Sequence, residues 1–464
     1  MEFYFKDTIA AIATPLGRGA IGIIKISGDL SLEILKTLFR PNQPISEIRP
    51  RYLYYGHIVD PKTEKVIDEV LVAYMKKPYS YTREEVVEIY AHSGAVVLKK
   101  ILELVLLSGA RLAEPGEFTL RAFLNGRIDL SQAEAVEELI SAKSELALNL
   151  ALNNLLGKFS EKVQFLRSQL LEVLAQVESA IDFPEEDIEI MNPPELIQKI
   201  ERDILPTIEF FIANYKQGKI YREGINLVIA GKPNVGKSSL MNALLREERA
   251  IVTPIPGTTR DFLEEPALLN GIPVKLIDTA GLRETEDLVE KIGVERAKEK
   301  LKEADLVLLL VDVGFKPTSE DLKIYEEVKS YPHLVVLNKI DLEPNYTSDW
   351  QEFFRIKGEE FLEISALKGT NLERLTQRIV EKILGEHGVG QVPEVVPNLR
   401  QKVALEKAKE FLENAIEELR GKNPLPELIA VELRGALSSL SEIVGEVTTE
   451  EILTQIFSTF CIGK

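Results

Sequence analysis

The chain of 464 residues has a single cysteine, Cys461, only four histidines, and no apolar run near the roughly 18 residues that a membrane span needs. One thiol excludes an internal disulfide framework and any cysteine-cluster zinc site, and it fits a reducing compartment. The scattered histidines argue equally against zinc. Positive charge is also scarce: 56 Lys+Arg stand against 74 Asp+Glu, a net −18. A simple polycation that coats nucleic acid by neutralising phosphates is therefore excluded. The shortage is uneven, because residues 1–130 carry 17 Lys+Arg against 16 Asp+Glu, leaving −19 for the rest. An anionic ligand or RNA is more easily met in the N-terminal third, or through a partner. The stretch Met1 to Asp7 lacks a charged segment followed by an apolar one, so a soluble, cytoplasmic protein is expected.

What is present is enough apolar sequence, 45%, for two or three domains with real cores. Up to about residue 125, short β-like runs at 21–26, 70–74 and 85–89 alternate with helical stretches near 30–39 and 93–108, which predicts an α+β domain. From Ser131 the texture changes. Leu148, Leu152, Leu155, Phe159, Val163, Leu166, Leu170, Val173, Val177 and Ile181 recur at three- and four-residue steps and predict one very long amphipathic helix. Prolines 184, 193 and 194 interrupt it, and a second helical pair runs to Lys219. Residues 225–384 follow the βα order of a doubly wound parallel sheet. Gly385 to Pro397 reads as a linker, and Leu399 to Leu419 and Glu427 to Phe460 as further helix. The expected architecture is multidomain: an α+β domain over 1–125, a discontinuous helical domain over 126–219 and 385–464, and an inserted P-loop domain over 220–384.

The strongest chemical signal is Gly231-Lys232-Pro233-Asn234-Val235-Gly236-Lys237-Ser238-Ser239, set between the apolar run 225–230 and a helical stretch. That strand-loop-helix context is what a phosphate-binding loop needs. Its backbone N–H groups wrap phosphates, Lys237 bridges β and γ oxygens, and Ser238 ligates Mg²⁺. Three further elements follow in the order of a guanine-nucleotide switch. Asp278-Thr279-Ala280-Gly281 places a carboxylate for Mg²⁺ through water and a glycine N–H for the γ-phosphate. Asn338-Lys339-Ile340-Asp341 ends an apolar strand, and its Asp341 can accept both donors from guanine N1 and N2, which favours GTP over ATP. Ser365-Ala366 supplies the last base-side loop. Between them, Gly257-Thr258-Thr259-Arg260-Asp261 offers Thr259 to Mg²⁺ and the γ-phosphate, and Asn270-Gly271 predicts a hairpin. Leu282 occupies the place where small signalling GTPases carry a water-orienting Gln, so another polar group must take that role, and the acidic segment 283–290 offers candidates.

Two other matches are set aside. Gly17-Arg18-Gly19-Ala20-Ile21-Gly22 spells a dinucleotide fingerprint, but a β-like run follows it, so it reads as a turn between strands. Cys461-Ile462-Gly463-Lys464 has the cysteine of a prenylation box without the apolar residues such a box prefers.

Taken with Asn234, the Gly-Thr-Thr-Arg-Asp switch, Leu282, the Cys-Ile-Gly-Lys end, residues 13–19 and residues 115–127, the whole chain resembles the MnmE (TrmE) family of tRNA-modification GTPases. The resemblance implies an N-terminal domain that dimerises and binds a 5-formyl-tetrahydrofolate-type cofactor, through positions that fall on Lys25, Glu88 and Arg127 with Lys464 nearby. It implies a homodimer that works with an FAD-dependent partner, MnmG (GidA), on tRNA, where FAD is expected only on the partner. It further implies addition of an aminomethyl-type (carboxymethylaminomethyl) group to C5 of wobble uridine. GTP hydrolysis would be stimulated by K⁺ and by G-domain dimerisation. Asn234, Thr253, Ile255 and Thr258 would hold K⁺, Thr253 and Thr258 would join the GTP site, and Glu290 would position the attacking water. Cys461 is expected to serve the modification chemistry, since its terminus lies near the folate. The alternative is an RNA-binding or ribosome-assembly switch, whose usual appended basic domain is not found in this sequence.

Overall fold

A computed structural model describes residues 7–182, 191–247, 264–278, 300–343, 345–385 and 392–464. The chain forms two compact units, one of residues 1–137, 154–204 and 407–464, the other of residues 138–153 and 205–406. Among the described residues, no helix is long and apolar enough to cross a membrane.

The first unit is built on a sheet of strands β1 (Ile9–Ile12), β2 (Ile21–Ser27), β3 (Phe39–Pro41), β4 (Leu53–Val59), β5 (Val66–Met75), β6 (Val86–His92) and β7 (Arg111–Leu112), in the order β3-β4-β5-β6-β2-β1-β7. Alternation fixes its buried face: Ile24 and Ile26 of β2 lie opposite Ile89 and Val87 of β6, and all four are fully buried. Helices Ser31–Leu38 and Ala95–Leu107 supply Leu35, Leu98, Ile101 and Val105 to the same core. Each such side chain contributes about 1.5–3 kcal/mol on burial. Gly22 permits the close approach, since a Cβ there would lie 2.5 Å from Leu98 Cδ1. Residues 13–20 join antiparallel β1 and β2, in agreement with a turn in place of a dinucleotide loop.

The long apolar stripe is one face of two helices, Glu145–Leu155 and Lys158–Asp182, rather than of a single helix. Gly157, at φ +89°, ends the first in the left-handed conformation that glycine adopts freely, and apolar spacing survives such a break. Phe159, Val163, Leu166, Leu170, Val173 and Val177 are buried where this helix packs against Pro426–Val444. The run from 427 to 460 is likewise divided: Gly445, at φ +86°, closes one helix and Thr449 caps the next, Glu450–Ser458. Before the P-loop the chain forms the helix Pro193–Lys199, a π-helical turn Ile200–Ile204 and the helix Leu205–Glu223.

The second unit holds β8 (Ile225–Ala230), β9 (Glu264–Leu269), β10 (Ile272–Asp278), β11 (Leu306–Asp312), β12 (His333–Asn338) and β13 (Phe361–Glu363), in the order β13-β12-β11-β8-β10-β9. All pairs are parallel except β9 with β10, whose link is Asn270-Gly271 with φ of 49° and 79°, as a two-residue hairpin requires. β8 lies between β10 and β11, so the chain leaves it in opposite directions on its two sides. The crevice beyond its C-terminal end is thus a topological switch point, where open α/β sheets bind ligands. The stretch 385–397, which its composition predicts to be a linker, is partly core: Val395 and Val396 are buried, and Val396 fills the space beside Gly218, where a Cβ would come within 2.5 Å of it. Apolar valines flanked by prolines pack without forming a regular element, which composition cannot distinguish from a free linker.

Candidate functional site

At the end of β8 the chain turns through Gly231 (φ 151°), Asn234 (φ 61°) and Gly236 (φ 103°) before entering the helix Lys237–Glu247. These backbone angles fold Gly231 to Gly236 into a loop around the Lys237 ammonium, whose Nζ donates to the carbonyls of Gly231 at 2.9 Å and Lys232 at 2.7 Å. Lys237 is only 5% exposed. A buried ammonium beneath a loop of main-chain N–H groups at a helix N-terminus is an arrangement suited to phosphate oxygens. The next residue, Ser238, donates from Oγ to Asp278 Oδ2 at 3.2 Å, where β10 ends. A hydroxyl and a carboxylate alone make an incomplete metal site, and no group of three or more His, Cys, Asp or Glu side chains among the described residues could hold one. The pair suits Mg²⁺, which takes one or two protein oxygens and completes its shell with phosphate and water.

The ends of β12 and β13 meet this loop from the other side. Asn338 is 1% exposed; its Nδ2 donates to the Val235 carbonyl at 2.8 Å and its Oδ1 accepts from the Ala366 N–H at 3.0 Å. Lys339 donates to the Asn234 carbonyl and to Asp312 Oδ2, each at 2.7 Å. Ser365 is fully buried and receives the Lys368 N–H, and Asp341 is exposed at the loop. Val235, Asn234, Lys237, Ser238, Asp278, Asn338, Lys339, Ser365 and Ala366 are thereby joined around one crevice; Gly236 lies within it and Ser239 follows in the helix. Thr253, Ile255, Thr258, Thr259, Thr279, Ala280, Gly281, Leu282 and Glu290 lie outside the described residues. Asp312 carries no motif of its own in the sequence, although it ends an entirely buried strand, and Asp278 and Asn338 end strands as well.

A second site lies in the first unit. A pocket of about 410 Å³ is lined by Lys25, Tyr81, Arg127 and Lys464 above apolar Ile128, Val136 and Leu155. The Lys25 ammonium stands 5.3 Å from the Tyr81 ring centre and 5.2 Å from that of Phe118, and the Arg127 guanidinium lies 4.5 Å from that of Tyr81. Burial pushes the Lys25 ammonium below its ordinary pKa; Glu88, directly opposite on β6, counters this, while Lys464 and Arg127 add to it. Glu88 accepts from the Tyr90 hydroxyl at 2.6 Å and stands beside Lys25 rather than lining the pocket. Lys464 reaches the site because the segment 461–464 is pinned: Ile462 bridges Pro115, and the Lys464 carbonyl accepts from Phe118 N–H at 3.2 Å. Gly463 takes φ +95°, where a Cβ would lie 2.8 Å from the Ile12 carbonyl. Cys461 is an exposed free thiol and is not among the lining residues. Sequence reasoning missed Tyr81, whose only signal is the mixed run Tyr79-Ser80-Tyr81-Thr82-Arg83.

Residues 8–127 match the family described as GTP-binding protein TrmE N-terminus, and residues 130–461 match the MnmE helical domain. The tRNA modification GTPase MnmE of Aquifex aeolicus (strain VF5) is 50% identical over 459 residues, covering 99% of this chain and 100% of that protein. That of Thermoanaerobacter pseudethanolicus is 48% identical over 460 residues, with 99% of each covered. Among solved structures, a variant of Aquifex aeolicus Era bound to GDP.AlF4- is 30% identical over 43% of this chain and 69% of that chain, at a TM-score of 0.29, a likeness that adds nothing to the fold described above. With relatives matching from end to end at half identity, the chain belongs to the MnmE (TrmE) family of tRNA modification GTPases.

Proposed function

We propose that this chain hydrolyses GTP in the modification of tRNA, adding an aminomethyl-type (carboxymethylaminomethyl) group to C5 of wobble uridine as a homodimer together with an FAD-dependent MnmG (GidA) partner. Its full-length membership of the MnmE family carries the reading. In this reading GTP occupies the crevice beyond β8. Lys237 offsets the charge that develops on the β and γ oxygens. Ser238 and Thr259 ligate Mg²⁺, Asp278 acts through water, and Asn338 and Asp341 select guanine. K⁺ is held by Asn234, Thr253, Ile255 and Thr258, and Glu290 positions the attacking water. The domain boundaries are those proposed above, with the P-loop domain inserted over 220–384.

The second pocket suits a folate of the 5-formyl-tetrahydrofolate type. Three cations, one desolvated, beside a tyrosine ring and an apolar floor match an aromatic heterocycle that carries carboxylates. Lys25, Arg127 and Lys464 hold it, and Glu88 orients Lys25. A bound folate of this type supplies a one-carbon group, and Cys461 serves the modification centre chemically or by position. Mass spectrometry of tRNA nucleosides tests the reading in a deletion strain carrying either the native chain or Cys461→Ser. Loss of the wobble modification in the deletion, and in Cys461→Ser with normal GTP turnover, is expected. An unchanged nucleoside profile in the deletion would refute the function, and an unchanged profile in Cys461→Ser would remove the cysteine.

A further inference from the structure

A second depression, of about 430 Å³, shares a wall with the Lys25 pocket, because Tyr81 and Arg127 line both. Its other face carries Arg51, Tyr79 and Arg83, and among the described residues no carboxylate lines it. That is unusual for a chain with 74 acids. The acids next in sequence are turned inward: Glu84 accepts from Ser27 Oγ at 2.6 Å and from Arg121, and Glu85 accepts from the Tyr74 hydroxyl. None of the three arginines pairs with a carboxylate among the described residues. Arg83 and Arg127 donate to the carbonyls of Asn125 and Tyr81, and Arg51 lies 5.5 Å from the Tyr79 ring centre.

Two further facts separate this face from an ordinary solvated surface. Tyr79 is 74% exposed, a large ring left in water with a guanidinium against it. Arg51 and Arg83 sit at φ of 66° and 60°, a left-handed backbone that glycine or asparagine adopts more readily. Unpaired guanidiniums recognise phosphates through paired donors, and exposed aromatic faces and arginine planes stack unpaired bases.

We propose that the depression formed by Arg51, Tyr79 and Arg83 is a docking site for single-stranded RNA, the arginines taking phosphates and Tyr79 a base, so that a neighbouring nucleotide reaches the Lys25 pocket past Tyr81 and Arg127. This rests on the reading that the chain acts on tRNA. It gives that reading a contact surface in the part of the chain that is not acidic.

The test is binding of an unmodified tRNA transcript to the full chain across a KCl series, by fluorescence anisotropy, with Arg51→Gln/Arg83→Gln and with Tyr79→Ala. Arg127 is left intact because it lines both pockets. The arginine variant is expected to bind about tenfold or more weakly, and its salt slope to fall by about one per arginine removed. Tyr79→Ala is expected to bind at least fivefold more weakly with the salt slope retained. GTP turnover, binding of 5-formyl-tetrahydrofolate and the thermal midpoint should stay at the native values, which shows that the variants fold. Folded variants that bind the transcript as the native chain does overturn the docking site and leave the functional reading standing. A native chain that does not bind the transcript overturns both.

Discussion

Asn338 ties the Val235 carbonyl of the P-loop to the Ala366 N–H of the loop after β13, both through its one side-chain amide. The phosphate side and the base side of the crevice therefore share a single buried residue. Asn338→Ala leaves a buried carbonyl and a buried N–H without these partners, at about 1–3 kcal/mol. Titration with a fluorescent GDP analogue should show affinity reduced by roughly 5- to 150-fold, since each 1.4 kcal/mol is tenfold. Native affinity would mean that the tie does not shape the site.

Gly236→Ala should be more damaging. Its backbone is at φ +103°, and the added Cβ would meet Asn338 Nδ2 at 2.4 Å. Nucleotide binding is expected to be lost beyond detection in the same titration while far-UV circular dichroism is retained. Binding within threefold of native would contradict the packing described.

Hydrolysis should be faster in K⁺ than in Na⁺ buffers of matched ionic strength, because no arginine is evidently placed to act in cis and supply the roughly 10³–10⁵ in rate that an arginine finger gives, while Asn234 offers an oxygen beside the phosphates. Glu290→Ala should slow turnover with little change in nucleotide affinity, as expected of a group that acts in the transition state, and Glu284→Ala is its control. Equal rates in the two buffers would sink the K⁺ site. A more harmful Glu284→Ala would shift the assignment of the water-positioning acid.

Lys25→Met should stabilise the fold while removing folate binding. Desolvation holds the Lys25 pKa below 10.5, so between its folded and unfolded values the folded chain carries fewer protons and stability rises with pH. Below that window the penalty is fully present, and its removal is expected to add on the order of 1 kcal/mol. Urea unfolding at pH 7 measures this, and calorimetry with 5-formyl-tetrahydrofolate measures the lost binding. A destabilised variant would show that the cation stabilises its own site.

Acid should act through a different cluster. Burial pushes Glu117 up, but hydrogen bonds from Arg111, the Glu114 N–H and Arg121 outweigh it and hold the carboxyl below 4.5. Asp7, against the same arginines, is held below its ordinary value in the same way. Their stabilisation is complete above the unfolded pKa values and is lost as pH falls through the folded ones. Arg121→Met, which leaves these acids without their buried partner, should cost about 3–5 kcal/mol at pH 7 and flatten the acid limb of a urea-unfolding profile.

Local signals made the P-loop, the β9–β10 hairpin and the strand ends at Asp278 and Asn338 readable, because a strand, a turn and a helix each write their pattern within a few residues. Gly157 and Gly445 escaped notice for the converse reason: apolar spacing of three and four continues across one left-handed residue. Val396 read as linker because its partner, the bare side of Gly218, lies far away in sequence. The Lys25, Arg127 and Lys464 pocket came from family likeness alone, since nothing local brings residues of two distant segments together. Tyr81 went unseen because an aromatic beside an arginine is also ordinary surface.

The pinning of Gly463 against Ile12 bears on how the pocket comes into being during synthesis. A ribosome releases Lys25, Tyr81 and Arg127 early, and their sheet can form while later segments are still being made. Lys464 emerges only after the whole P-loop unit has been translated, so the pocket acquires its third cation last. A shortened translation product lacking residues 461–464 would keep the sheet and the crevice yet arrive without a complete pocket.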